Sequence, residues 1–210
     1  MDTEEVKDSA ITGDRVGESV AGDPVYCLKE VLRMGTSGVS LLIITDLKKL
    51  SRDFLDSYSN IFGWHFRDSE RSLLSSKISN PKYEFSYFDR IHSHFGFDQL
   101  EFVLEGLRNG TRSRVISTWD QTLDMRTKEI IPCLTLLQFS LDDSLPRKLD
   151  LSVVFRSRDI VRRMVPNWNA LDILQRQCAD ALHCEQGVLI DYSLKWFYTE
   201  ADYSRLFPIL

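Results

Sequence analysis

Long apolar runs are missing from this 210-residue chain. The longest, residues 39–44, is interrupted by Ser40 and is far too short to span a bilayer as a helix. Cysteine is scarce. Cys27, Cys133, Cys178 and Cys184 lie far apart and form no Cys-x-x-Cys pair, which excludes a disulfide scaffold or a zinc-type spacing and points to a reducing, cytoplasmic setting. Positive charge is not in excess either. With 26 Lys and Arg against 31 Asp and Glu, the net charge is −5. That argues against a broad nucleic-acid or anionic-membrane surface, though not against one local phosphate site. The opening stretch, MDTEEVKDSAITGDRVGESV, is acidic and polar, so it has the character of neither a signal nor a transit peptide. No repeat and no low-complexity block is present.

What the chain does have is an ordinary globular composition, and at this length roughly 70% of the unfolded surface can be buried. Residues 1–23, poor in large apolar groups, read as a mobile leader, and residues 24–210 as a single domain. Asp23-Pro24 opens a helix over 25–34, stopped by Gly35. VSLLIIT (39–45) reads as a buried strand, 47–58 as a helix followed by an aromatic stretch, and the polar, Ser-rich 67–82 as a loop. DQLEFVLEGLR (98–108) and NALDILQRQCADAL (169–182) are amphipathic helices. Strands are expected at 115–119, 134–141, 149–156 and 188–192, the middle two joined by a turn over 142–146. The mixed order of strands and helices favours an α+β fold over regular βαβ winding.

Chemistry concentrates between Tyr87 and Tyr198. Cys133 follows a proline at the entrance to a strand, in IIPCLTLLQF. By itself it reads as a small hydrophobe; as a nucleophile it must be a thiolate, which needs positive charge or a donor beside it. The next strand ends in FRSRDI, placing Arg156, Ser157, Arg158 and Asp159 at the mouth of the sheet. Neighbouring strands lie about 4.8 Å apart, so Arg156 can stand near Cys133, where it could both favour the thiolate and fork onto a phosphate. His92 and His94 read as a satisfied loop pair, and Arg162-Arg163 as solvated.

The pieces YFDRIHSHFGFDQLEFVLEGLRNGTRSRVISTW, PCLTLLQF, FRSRDIVRRMVPNWNALDILQ and WFYTEADYSRL, in that order, resemble the thymidylate synthase family, which includes the pyrimidine-nucleotide hydroxymethylases. The resemblance implies a three-layer α/β/α arrangement of the α+β class, whose mixed sheet forms the interface of a homodimer. It implies Cys133 as the thiolate that adds to C6 of a pyrimidine, with Asp159 near the base and folate, and Tyr87 ahead of the DQ helix as further catalytic positions. Arg156 and Ser157 match the phosphate-binding pair, Asn167 the amide that reads the pyrimidine edge, and Tyr198 a sugar-binding tyrosine. An amide donates and accepts, which suits N3–H and O4 of uracil. Arg112, with Arg114 as the alternative, matches an arginine lent to the partner subunit's phosphate site.

The implied activity is one-carbon transfer from 5,10-methylenetetrahydrofolate to C5 of a dUMP-like nucleotide, with no metal. The alternatives are 5-hydroxymethylation of dUMP, UMP, dCMP or CMP, and a non-catalytic nucleotide-binding homologue. The sequence departs from the family where a sugar-binding His is replaced by Trp196. No match is evident for an early catalytic glutamate, Asp53 and Asp56 being unconvincing, or for the closing tail after Tyr198.

Overall fold

The computed structural model describes residues 15–75, 86–126, 131–142 and 145–210. Residues 1–14 of the expected leader, 76–82 of the expected loop, and 143–144 of the expected turn lie outside them. In chain order the elements are β1 (Arg15–Val16), β2 (Ser19–Gly22), α1 (Pro24–Arg33), β3 (Ser37–Thr45), α2 (Arg52–Leu74), α3 (Tyr87–His92) and α4 (Gln99–Arg108). Then come β4 (Ser113–Ser117), α5 (Gln121–Asp124), β5 (Leu134–Asp142), β6 (Lys148–Phe155) and β7 (Arg158–Asp159). A π-helical turn (Ile160–Met164) leads into α6 (Val165–Ala181), followed by β8 (Glu185–Phe197) and α7 (Glu200–Leu206).

The sheet runs β1-β3-β8-β6-β5-β4, with β2 also on β3 and β7 also on β8. β3 is antiparallel to β8, β8 parallel to β6, and β6 antiparallel to β5. The sheet is therefore mixed and the class α+β, as expected. One cross-strand row, Ile43–Asp191–Val153–Leu137–Ile116, lies in the core. The adjacent row, Leu42–Tyr192–Val154–Leu136, belongs to the opposite face, where Ile44, Val115 and Leu194 are exposed.

Local signals explain most boundaries. Asp23 caps α1 by accepting from Tyr26 N, and Pro24 takes the first turn, where no amide partner is needed. Asp98 caps α4 in the same way through Glu101 N. Along α2, Phe54, Tyr58, Phe62 and Phe66 recur every fourth residue, and the ring of Tyr58 packs against all three others.

Three expectations need correction. Residues 15–22, assigned to the leader, pair in parallel with β3. The helix expected over 47–58 runs instead from Arg52 to Leu74, through the aromatic stretch and into the expected loop, because Ser69 and Leu73 prolong the buried stripe that a Ser-rich composition conceals. β8 has 13 residues rather than five. Beyond Tyr192 a buried serine, Ser193, and two successive exposed residues, Leu194 and Lys195, break the apolar alternation by which strands are recognised.

Among the described residues no helix is long and apolar enough to cross a membrane, and no cluster of three or more His, Cys, Asp or Glu could hold a metal.

Candidate active site

The sheet is interrupted where the chemistry is expected. β6 pairs with β8 up to Phe155 and β7 resumes at Arg158, so Arg156 and Ser157 leave the ladder between them. On the neighbouring strand the β5–β6 register shifts between Leu134 and Leu136, just after Cys133. These irregularities face a cavity of about 370 Å³. Cys133, Tyr87, Arg156, Ser157, Asp159 and Asn167 all line it.

Cys133 is half-buried and held through its backbone. Its amide and that of Leu134 both donate to Tyr87 Oη, at 3.0 and 3.1 Å. Arg156 closes the other side. Its amide donates to Cys133 O at 2.8 Å, its Nε to Pro132 O at 2.8 Å and its Nη2 to Ile131 O at 3.2 Å. Nη2 also lies 4.0 Å from Cys133 Sγ. The guanidinium thus places positive charge beside the sulfur while stapling the turn that carries it. Because Nε and Nη2 are turned onto carbonyls, Nη1 is the nitrogen left for a ligand, rather than a full fork.

Asp159 caps the π-helical turn, accepting from Arg162 N at 2.8 Å. Burial pushes its carboxyl above the usual value of 3.8, against the opposing pull of the Arg162 amide and charge. Asn167, in the first turn of α6, accepts at Oδ1 from Ser69 Oγ at 3.0 Å.

The missed part of the site lies on α2. Asp68, Ser69, Ser72 and Leu73 line the cavity, and Asp68 pairs with Arg163. Arg163 is therefore a wall residue rather than a solvated one, whereas Arg162 pairs with Asp202 nearer the surface. Treating 67–82 as a loop hid these residues; the spacing Phe62, Phe66, Ser69, Leu73 was the available signal. Arg158, expected at the mouth of the sheet, is turned inward, where it forms a buried bidentate pair with Asp191.

Other expected residues are not brought to the cavity. Tyr198 donates through its hydroxyl to Leu32 O at 2.9 Å and packs on Tyr203. Trp196 is wholly buried, pressed against Gly38 so closely that a Cβ there would meet the indole at 2.6 Å. Phe197 between them lines the cavity instead. The cause is a reversal of alternation along β8. Ser193 and Trp196 are both buried, with Leu194 and Lys195 exposed between them, opposite Ser40 at φ 62°.

Arg112 is exposed ahead of β4, outside this cavity. Arg114 donates to Thr111 Oγ1 and stands over the Phe102 ring at 5.2 Å. His92 and His94 are satisfied by Asp98 and Asp120, each at 2.7 Å.

Residues 48–195 match the profile of a family described as "Thymidylate synthase". A protein of Methanopyrus kandleri is 30% identical over 205 residues, covering 95% of this chain and 90% of its own. Proteins of Methanothermobacter thermautotrophicus and Methanothermobacter marburgensis are 30% and 28% identical over 123 residues, 58% of this chain and 54% and 53% of theirs. All three carry the name "Putative thymidylate synthase".

Proposed function

The chain belongs to the thymidylate synthase family, and from that premise we propose that it transfers a one-carbon unit to C5 of a pyrimidine nucleotide, a dUMP-like uridine nucleotide suiting its side chains best. The observation that carries this reading is that Cys133 shares one cavity with Arg156, Asp159 and Asn167.

In the proposed reaction the Cys133 thiolate adds to C6 of the base, and the electron pair moves to C5 as an enolate. Arg156 steadies the thiolate before attack. Arg156 Nη1 and the Ser157 hydroxyl receive the phosphate. Asn167, its Oδ1 already accepting from Ser69, presents its amide to the base edge. Asp159, whose carboxyl burial pushes upward from its usual value, stands where a proton must be moved near the reacting carbons. The apolar wall of Leu73, Ile131, Phe155, Leu171 and Phe197 fits a flat ring such as a folate pterin. Methylenetetrahydrofolate, when bound, would supply the one-carbon unit to C5, and loss of the C5 proton would release it as tetrahydrofolate. Hydride from that tetrahydrofolate, which becomes dihydrofolate, would give a methyl group and water a hydroxymethyl group, and departure of the sulfur from C6 would complete the cycle.

The hydroxymethyl outcome is the second reading. What favours it is the polar side of the cavity, where Asp68, Ser69 and Ser72 offer groups able to hold a water.

The phosphate site also bears on assembly. Arg158 and Arg163 are each neutralised by an aspartate, which leaves Arg156 as the cavity arginine without a carboxylate partner among the described residues. A second copy, packed on the open sheet face around Ile44, Val115 and Leu194, would add Arg112 to that site. If so, Arg112→Ala and Cys133→Ala, each inactive alone, regain activity when mixed and allowed to exchange subunits. Continued inactivity of the mixture removes the shared site.

The direct test uses dUMP, UMP, dCMP and CMP tritiated at C5, with methylenetetrahydrofolate. Release from a uridine nucleotide is expected, reduced about 10⁴-fold or more by Cys133→Ala. Product mass separates methyl from hydroxymethyl. Binding without release from any of the four would leave only a non-catalytic homologue.

A further inference from the structure

Asp191 is out of keeping with its place. It stands between Ile43 and Val153 in the central buried row of the sheet and is itself completely buried. Its Oδ2 accepts from Arg158 Nη1 at 2.7 Å and from Trp168 Nε1 at 2.7 Å, and its Oδ1 from Arg158 Nη2 at 2.8 Å. Both donors are buried as deeply, and the guanidinium lies over the Phe155 ring at 4.3 Å.

Stability alone is a poor reason for this arrangement. Taking an arginine and an aspartate out of water costs several kcal/mol per ion, and apolar replacements of similar volume are often as stable or more so. The arrangement is not even fully paired, since Arg158 Nε has no hydrogen-bond partner among the described residues. What it does achieve is geometric. Arg158 lies between Ser157 and Asp159, and Trp168 follows Asn167 directly. One carboxylate on a strand flanked by β3 and β6 therefore ties down two separate segments, the strand break that carries Arg156, Ser157 and Asp159 and the helix turn that carries Asn167.

We infer that Asp191 is a positioning residue for nucleotide binding, fixing the wall that takes the phosphate relative to the wall that reads the base. The inference rests on the function proposed above, and Asp191 itself touches no substrate. Replacing it with asparagine keeps the shape but turns an amide N–H toward Arg158 or Trp168, so one link must open.

The test is steady-state kinetics of C5 tritium release, normalised to active sites, with thermal melting alongside. Asp191→Asn should raise KM for the nucleotide about tenfold, with kcat changed far less, because the two walls no longer meet the same ligand at once. Trp168→Phe, which removes only the indole N–H, should raise KM roughly threefold and remain measurable if Asp191→Asn does not fold. In the double variant the two effects should fall short of additive, since the indole and the guanidinium address the same carboxylate. Lower melting temperatures with unchanged KM in Trp168→Phe and in every other variant that folds would overturn the inference and leave a structural role. A wild-type chain that neither binds nor turns over any of the four nucleotides overturns the proposed function, and this inference with it.

Discussion

Among the described residues lie two buried, bidentate arginine–aspartate pairs. Arg158–Asp191 sits behind the cavity wall, and Arg90–Asp124 joins α3 to α5. Their chemistry is the same; their third partners differ. Asp124 spends its remaining capacity locally, accepting the amide of Asp120 four residues earlier. Asp191 accepts the indole of Trp168 from another element. One pair is a staple between neighbours, and the other a hub joining three elements. Similar energetics can therefore serve different ends, and the difference should show in which measured quantity moves when each pair is broken.

The largest effect on stability is expected at the staple. Asp124→Asn removes the carboxylate that a buried guanidinium forks onto and should cost about 3–5 kcal/mol in denaturant unfolding. The nucleotide KM of the folded fraction should stay unchanged. A KM shift like that expected for Asp191→Asn would erase the distinction between the two pairs.

A smaller effect sharpens the comparison within α3. Tyr87 lies one turn before Arg90, and its hydroxyl receives the amides of Cys133 and Leu134. Tyr87→Phe leaves those amides unmet and should lower kcat roughly tenfold with little change in KM, if each lost bond is worth the usual increment. An equal fall in the rate at which iodoacetamide alkylates Cys133 would place the effect at the sulfur, before any later step.

The smallest effect is at Asp159, on the segment that the hub holds. Burial raises its carboxyl above 3.8 in the folded chain. The protonated form is therefore the better fitted one, and its contribution to stability is present below that value and lost as the pH rises through the raised one. Asp159→Asn keeps the cap on the π-helical turn and should raise the melting temperature slightly at pH 7 but not at pH 3, while lowering activity. An equal change at both pH values would show that burial of the charge is not the cause.

The same contrast explains what could be read from the sequence. Elements with local signals were legible. α1 and α4 carry aspartate caps and a helical period, and β5 and β6 alternate apolar with polar. Cys133, Arg156, Ser157, Asp159 and Asn167 were singled out through their order along the chain, and the fold gathers them around one cavity. What escaped was every polar residue whose burial is made tolerable by a distant partner. Ser69 hid the end of α2, and Asp191, though inside the expected strand, gave no sign of its burial, because each resembles a surface residue until Asn167 or Arg158 is seen beside it. Arg163 passed for a solvated charge for the same reason. Tyr198 and Trp196 were placed by chain order at the site, but the reversal along β8 sends both elsewhere, and such a reversal leaves no mark in a residue pattern.

The central claim is covalent catalysis at Cys133, and it can be tested by stopping the reaction partway. A fluorine at C5 of the nucleotide cannot leave as a proton does, so a complex formed by attack at C6 should persist. Intact-protein mass spectrometry after incubation with a 5-fluoro uridine nucleotide and methylenetetrahydrofolate should show one added mass of nucleotide plus folate, mapped to the peptide bearing Cys133 and absent from Cys133→Ala. An unmodified mass in a chain that nevertheless releases tritium from C5, or an adduct on any other cysteine, would contradict the account.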